Sequence, residues 1–152
     1  MKMGKGVEAA LHCCVIMHWL AGRPVTSAQL ASFFGLPPAY LQKTLRALVS
    51  DGLAEATRGQ SGGFVLRRPG ERISLMDVVA AVEGREPAFQ CEEIRLSGRS
   101  GELGHRPGQC AVSRAMGRAE LSYRTALAGQ SIADVAGEAG SRARDRTIAA
   151  FS

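Results

Sequence analysis

The sequence predicts a mainly α-helical protein with a small β-wing, in which a winged helix-turn-helix is followed by a long C-terminal helix. Three observations carry that prediction. Two short amphipathic patterns between residues 26 and 52 are joined by a turn containing Gly35, the arrangement of a helix-turn-helix. Two brief strand-like runs then flank a loop with three glycines, Gly59, Gly62 and Gly63. Beyond Cys110 an Ala-rich helical pattern runs to about Leu127. At 152 residues the chain has the length of one ordinary domain, and 45% hydrophobic with 22% charged residues excludes both a wholly disordered chain and a membrane bundle. Aromatic residues make up only 5%, so aliphatic side chains must build the core.

Taken in order, Val7, Leu11, Cys14, Val15 and Trp19 recur at three- and four-residue steps, predicting a helix over 7–20 that Gly22, Arg23 and Pro24 end. Thr26-Ser27-Ala28-Gln29 is a capping box, because Thr can accept from the third amide while Gln reaches back; it opens a helix through Phe34 that Gly35 closes. Pro37-Pro38 starts the next helix, with Leu41, Leu45 and Leu48 on one face and Gly52 just past its end. Strands are expected over 53–57 and 64–67. Ser74-Leu75-Met76-Asp77 is a second capping box and Gly84 a stop signal. Periodicity is lost from 85 to 109, a span too long for a structureless connection in a compact domain unless it is functional or mobile. Ser131 with Asp134 caps one further turn, and the tail from Ala136 is expected to fray for want of apolar residues. The resulting division is a winged helix-turn-helix over 1–84, an irregular loop over 85–109, a helix region over 110–135 and a tail over 136–152.

The net charge of +5 lies entirely in the first half. Lys2, Lys5, Arg23, Lys43, Arg46, Arg58, Arg67, Arg68 and Arg72 oppose only Glu8, Asp51, Glu55 and Glu71, while residues 73–152 are balanced. Charge confined to one segment marks a surface for a polyanion. Lys2 and Lys5 ahead of an apolar run resemble a signal peptide, but Glu8, His12 and His18 interrupt it, and no stretch there has the ~20 apolar residues of a span. A cytoplasmic location without membrane contact is expected. There, Cys13, Cys14, Cys91 and Cys110 are expected to be buried, metal-binding or redox-active thiols and not structural disulfides.

For a helix-turn-helix, the N-terminal end of the second helix reads the major groove of double-stranded DNA, which singles out Ala39, Tyr40, Gln42 and Lys43. Gln can pair with adenine and Lys with guanine acceptors, whereas Tyr40 serves equally for packing or a phosphate contact. Arg46, Arg67 and Arg68 suit phosphate, and Arg58 and Gln60 in the wing suit the minor groove or the backbone. Glu8 and His12 are four apart on one helix face, a spacing that can serve a metal, although an exposed Glu-His pair is the plainer reading of those two alone. Cys91 and Cys110 bracket the irregular loop without forming a zinc pattern, His105 lies within the loop, and Cys13 and Cys14 fall in the apolar part of the first helix.

Four segments together resemble the Rrf2 family of winged-helix regulators, the group with IscR-, NsrR- and RsrR-type members. They are Gly6-Val7-Glu8-Ala9-Ala10-Leu11-His12, Pro38-Ala39-Tyr40-Leu41-Gln42-Lys43, Arg58-Gly59-Gln60-Ser61-Gly62-Gly63-Phe64, and the run from Ile73 through Val78 to Gly84. Cys91-Glu92-Glu93-Ile94-Arg95 and Cys110-Ala111-Val112-Ser113 extend the likeness, which covers roughly residues 3–135. It implies a homodimeric repressor-type regulator whose affinity for a pseudo-palindromic operator is controlled by an iron-sulfur cluster sensing redox state or nitric oxide. Many members hold the cluster with three loop cysteines, and only two are present here. The set resembles that of RsrR-like members, implying a 2Fe–2S cluster on Cys91, Cys110, Glu8 and His12. The alternatives are a cluster-free regulator switched by thiol chemistry, a partner or a metabolite, and a small zinc metalloenzyme on the same four residues.

Overall fold

The computed structural model describes residues 3–59 and 62–152. Helix α1 (Lys5–Trp19) forms the centre of a helical assembly, with Val7, Ala10, Cys13, Cys14 and Met17 all nearly inaccessible to solvent. Its middle is apolar on almost every side because α3 (Pro38–Ser50), α4 (Leu75–Glu83) and α7 (Ile132–Glu138) all pack against it. Helix α2 (Ser27–Phe34) begins at the expected capping box: the Gln29 amide donates to the Thr26 hydroxyl at 3.1 Å, and the Thr26 amide donates to the Gln29 side chain at 2.9 Å. It ends where Gly35 adopts φ +62°, which only a residue free of a Cβ takes without strain. Leu41, Leu45 and Leu48 of α3 are completely buried, as their spacing requires.

Strands β1 (Ala54–Thr57) and β2 (Gly63–Leu66) pair antiparallel, with Ala54 opposite Leu66 and Thr57 opposite Gly63. β1 starts one residue later than its sequence pattern, and β2 has the expected length but lies one residue earlier in the chain. The hairpin is anchored to the loop before α2, since Val25 and Phe64 exchange backbone hydrogen bonds of 3.1 and 2.8 Å. That approach depends on Gly63, where a Cβ would stand 2.7 Å from the Val25 carbonyl. Downstream, the capping boxes of α4 and α7 lie side by side: the Leu75 amide donates to Gln130 and the Ile132 amide to Ile73, both at 2.9 Å.

Contacts divide the chain into two compact units, residues up to 85 together with 127–152, and residues 86–126. The frayed tail expected from Ala136 is absent. Instead, α8 (Ser141–Ala150) is a helix that docks on the first unit. Ile132 and Ala136 are buried, Ile148 and Phe151 pack against the core, the Phe151 ring lies 4.9 Å from that of Phe33, and Arg23 donates to the Ile148 carbonyl at 3.4 Å. A few apolar residues suffice because each meets a prepared surface far away in sequence. In the second unit, a 3-10 turn (Ile94–Leu96), a one-turn α5 (Gly98–Gly101) and the long α6 (Ala111–Ala128) follow one another, and α6 contains no buried residue. Among the described residues, no helix is long and apolar enough to cross a membrane.

Candidate nucleic-acid interface and candidate metal donors

Burial of Leu41, Thr44, Leu45 and Leu48 fixes the rotation of α3 and leaves Ala39, Gln42, Lys43 and Arg46 exposed on the other side. Those four follow the i, i+3, i+4, i+7 spacing of a single face. Tyr40 belongs to neither face. It is half-buried and, among the described residues, its hydroxyl is enclosed without a hydrogen-bond partner, an environment that suits packing, one of the two roles the sequence left open for it. In the hairpin, the Thr57 hydroxyl accepts from the Gly63 amide at 3.0 Å and closes the strand ends, with Arg58 exposed immediately beyond. Gln60 lies outside the described residues. Arg67 and Arg68 are exposed at the base of the wing, and Arg68 makes a long, 3.8 Å ion pair with Asp77. Among the described residues Lys43, Arg46, Arg58 and Arg67 form no ion pair, so their charge is available to an outside anion.

The candidate donors fall into two pairs. Glu8 and His12 occupy the exposed edge of the otherwise buried α1 and line a cleft of about 540 Å³ with Phe34, Leu36, Pro37 and Tyr40. The His12 and Phe34 ring centroids are 5.7 Å apart. In the other unit, Cys91 and Cys110 are free, half-buried thiols. The Ser113 amide at the start of α6 donates to Cys110 Sγ at 3.5 Å. That amide above all, against an opposing effect of burial, holds the Cys110 thiol below its ordinary range, with help from the neighbouring Cys91, the Val112 amide and Arg95. Cys13 and Cys14 differ completely: burial pushes Cys13 up to about 12 and Cys14 higher still, which marks both as core thiols. His105 is exposed. Among the described residues, no group of three or more His, Cys, Asp or Glu side chains comes together as a metal site.

Residues to which the sequence reading gave no role hold the loop in shape. Glu93, in the left-handed region at φ +51°, pairs with Arg95 at 2.9 Å and accepts from the Gly108 amide at 2.9 Å, while Arg95 donates to the Arg106 carbonyl at 2.6 Å. These bonds tie 93–95 to 106–108 and so bring the two cysteines together across the loop. At its entrance, the Ala88 amide donates to the Glu120 carboxylate at 3.2 Å, and Arg124 holds that carboxyl below its usual range. The only sequence signal for this clamp is opposite charge inside an irregular Gly-rich stretch, too common a pattern to single out Glu93 and Arg95.

A helix-turn-helix whose second helix presents a bare polar face, followed by a basic hairpin, defines the winged-helix class of DNA-binding regulators. The chain belongs to the Rrf2 family: residues 3–138 match the family model described as an iron-dependent transcriptional regulator. Over 139 residues it is 33% identical to YffB of Lactococcus lactis, named as a candidate HTH-type transcriptional regulator, covering 91% of this chain and 88% of that one. It is 28% identical over 116 residues to the HTH-type transcriptional repressor NsrR of Streptomyces coelicolor, covering 74% and 71%. Among solved structures, CymR, described as the global cysteine regulator of B. subtilis, shares the fold with a TM-score of 0.71 at 19% identity, over 91% of this chain and 98% of that one. T. potens IscR does so with a TM-score of 0.65 at 21% identity, over 92% and 89%. These relatives are transcriptional regulators and not enzymes, which disposes of the zinc metalloenzyme reading.

Proposed function

We propose that this regulator is a homodimeric repressor whose affinity for a pseudo-palindromic operator is set by a 2Fe–2S cluster on Cys91, Cys110, Glu8 and His12. The observation that carries it is the juxtaposition of Cys91 and Cys110 across an eighteen-residue loop, with the Cys110 sulfur on the amide groups that open α6. Amide donors and a nearby guanidinium favour thiolate, the form that ligates iron. Each unit supplies two donors, and in a dimer the four would be assembled from both protomers. When bound, such a cluster supplies one-electron chemistry at a potential raised by imidazole in place of thiolate. The chain's own part is to hold the thiols together through Glu93 and Arg95, to present Glu8 and His12 on a rigid helix, and to aim Ala39, Gln42, Lys43 and Arg46 at the groove. Val112 and Met116, one turn apart and 62% and 43% exposed on α6, give a second copy an apolar surface to bury.

Anaerobic purification tests the assignment: two iron and two sulfide per chain with a visible absorbance band are expected, reduced in Cys91→Ser and altered in Glu8→Ala and His12→Ala. Unaltered spectra and redox response in the last two remove them from the ligand set. A duplex selected from a random pool should bind with a salt slope that falls by about one for each of Lys43→Gln and Arg46→Gln that loses a phosphate contact. A second reading rests on the same cysteine pair, in which a peroxide takes two electrons from the thiols, their protons leave, and a Cys91–Cys110 disulfide forms. A colourless, iron-free protein that binds DNA and loses that affinity on peroxide treatment would favour it.

A further inference from the structure

The cleft that holds Glu8 and His12 has Tyr40 as its wall on the α3 side. Among the described residues the buried Tyr40 hydroxyl has no hydrogen-bond partner, and it lies beside Gly6, where a Cβ would come within 3.7 Å of it. Buried phenols find partners as a rule, so an orphaned one enclosed behind the wall of a cleft signals a partner that the single chain does not supply in this state. Tyr40 is also fixed to the reading end of α3. Its carbonyl accepts from the Thr44 hydroxyl at 3.3 Å, the adjoining Leu41 is fully buried, and Ala39, Gln42 and Lys43 of the same turns are exposed. One ring therefore belongs at once to the donor cleft and to the first turn of the recognition helix.

We propose that Tyr40 is a positioning residue that couples the Glu8–His12 cleft to DNA reading: once that pair engages its ligand, the Tyr40 hydroxyl donates to the Glu8 carboxylate and locks the first turn of α3. The inference rests on Glu8 and His12 being cluster ligands and adds the route by which the state of their site reaches the groove. An equilibrium is shifted only by a contact that differs between two states, and this hydrogen bond is such a contact.

The test is full-length Tyr40→Phe, which removes one oxygen and keeps the ring packing, compared anaerobically with the unaltered protein on the duplex that the latter selects from a random pool. Iron content, thermal unfolding and cluster-free DNA affinity should stay within twofold, while the ratio of cluster-loaded to cluster-free affinity moves at least fivefold toward one. The cluster's midpoint potential should fall, because a hydrogen bond to a ligand favours the more negative reduced state. An unchanged ratio and potential in an iron-loaded protein overturn the proposal, as does an equal loss of DNA affinity in both forms, which would make Tyr40 a plain DNA or packing contact. Absence of iron from the unaltered protein overturns the ligand assignment itself, a result distinguishable from either.

Discussion

Helices α3 and α6 are both amphipathic, yet the thirteen residues of α3 bury four side chains and the eighteen of α6 bury none. Every leucine of α3 is spent inside its own unit, so its polar face is held in one orientation by the core. Val112 and Met116 of α6 stay open to solvent, as do Ile94 and Leu103 in the loop before it. In the proposed dimer α3 would have to be rigid within its own chain to read DNA, whereas α6 would have to keep its apolar surface for the second copy.

Core truncation should separate the two regions most sharply. Leu45→Ala, at a completely buried site, is expected to cost about 2–5 kcal/mol in urea unfolding. Val112→Asp with Met116→Asp should instead turn a dimer into a monomer in sedimentation; a mass unchanged by these charges would place the interface elsewhere. Removing the α2 cap with Thr26→Ala should cost about 1 kcal/mol, seen as a lower melting temperature. Loss of the ring contact in Phe151→Ala should cost about 1 kcal/mol, and no change in melting temperature would mean that α8 adds nothing to the first unit.

The thiols divide along the same boundary. A folded pKa below the ordinary value means that Cys110 thiolate is present at lower pH and is lost only as pH falls through that depressed value. In cluster-free protein, iodoacetamide should therefore label Cys110 at neutral pH and lose rate on acidification. Cys13, pushed up to about 12, and Cys14 should remain unlabelled until the protein unfolds. Mass spectrometry of the labelled peptides checks the order.

Local chemistry written in consecutive residues was enough to determine the helix-turn-helix. Thr26 with Gln29, Gly35, the proline pair and the Leu41-Leu45-Leu48 spacing each settle a backbone choice within one turn, and Ser74 with Asp77 does the same for α4. Glu8 beside His12 was legible for the same reason, being a matter of helix period. The inward turn of the Tyr40 hydroxyl, the Glu93–Arg95 clamp that draws Cys91 to Cys110, and the docking of Ile148 and Phe151 on a core begun over a hundred residues earlier were decided only by the tertiary structure. Each of these depends on which distant surface a side chain meets, and a hydrogen-bond partner or an apolar neighbour remote in sequence leaves no periodic trace in the residues that will find it.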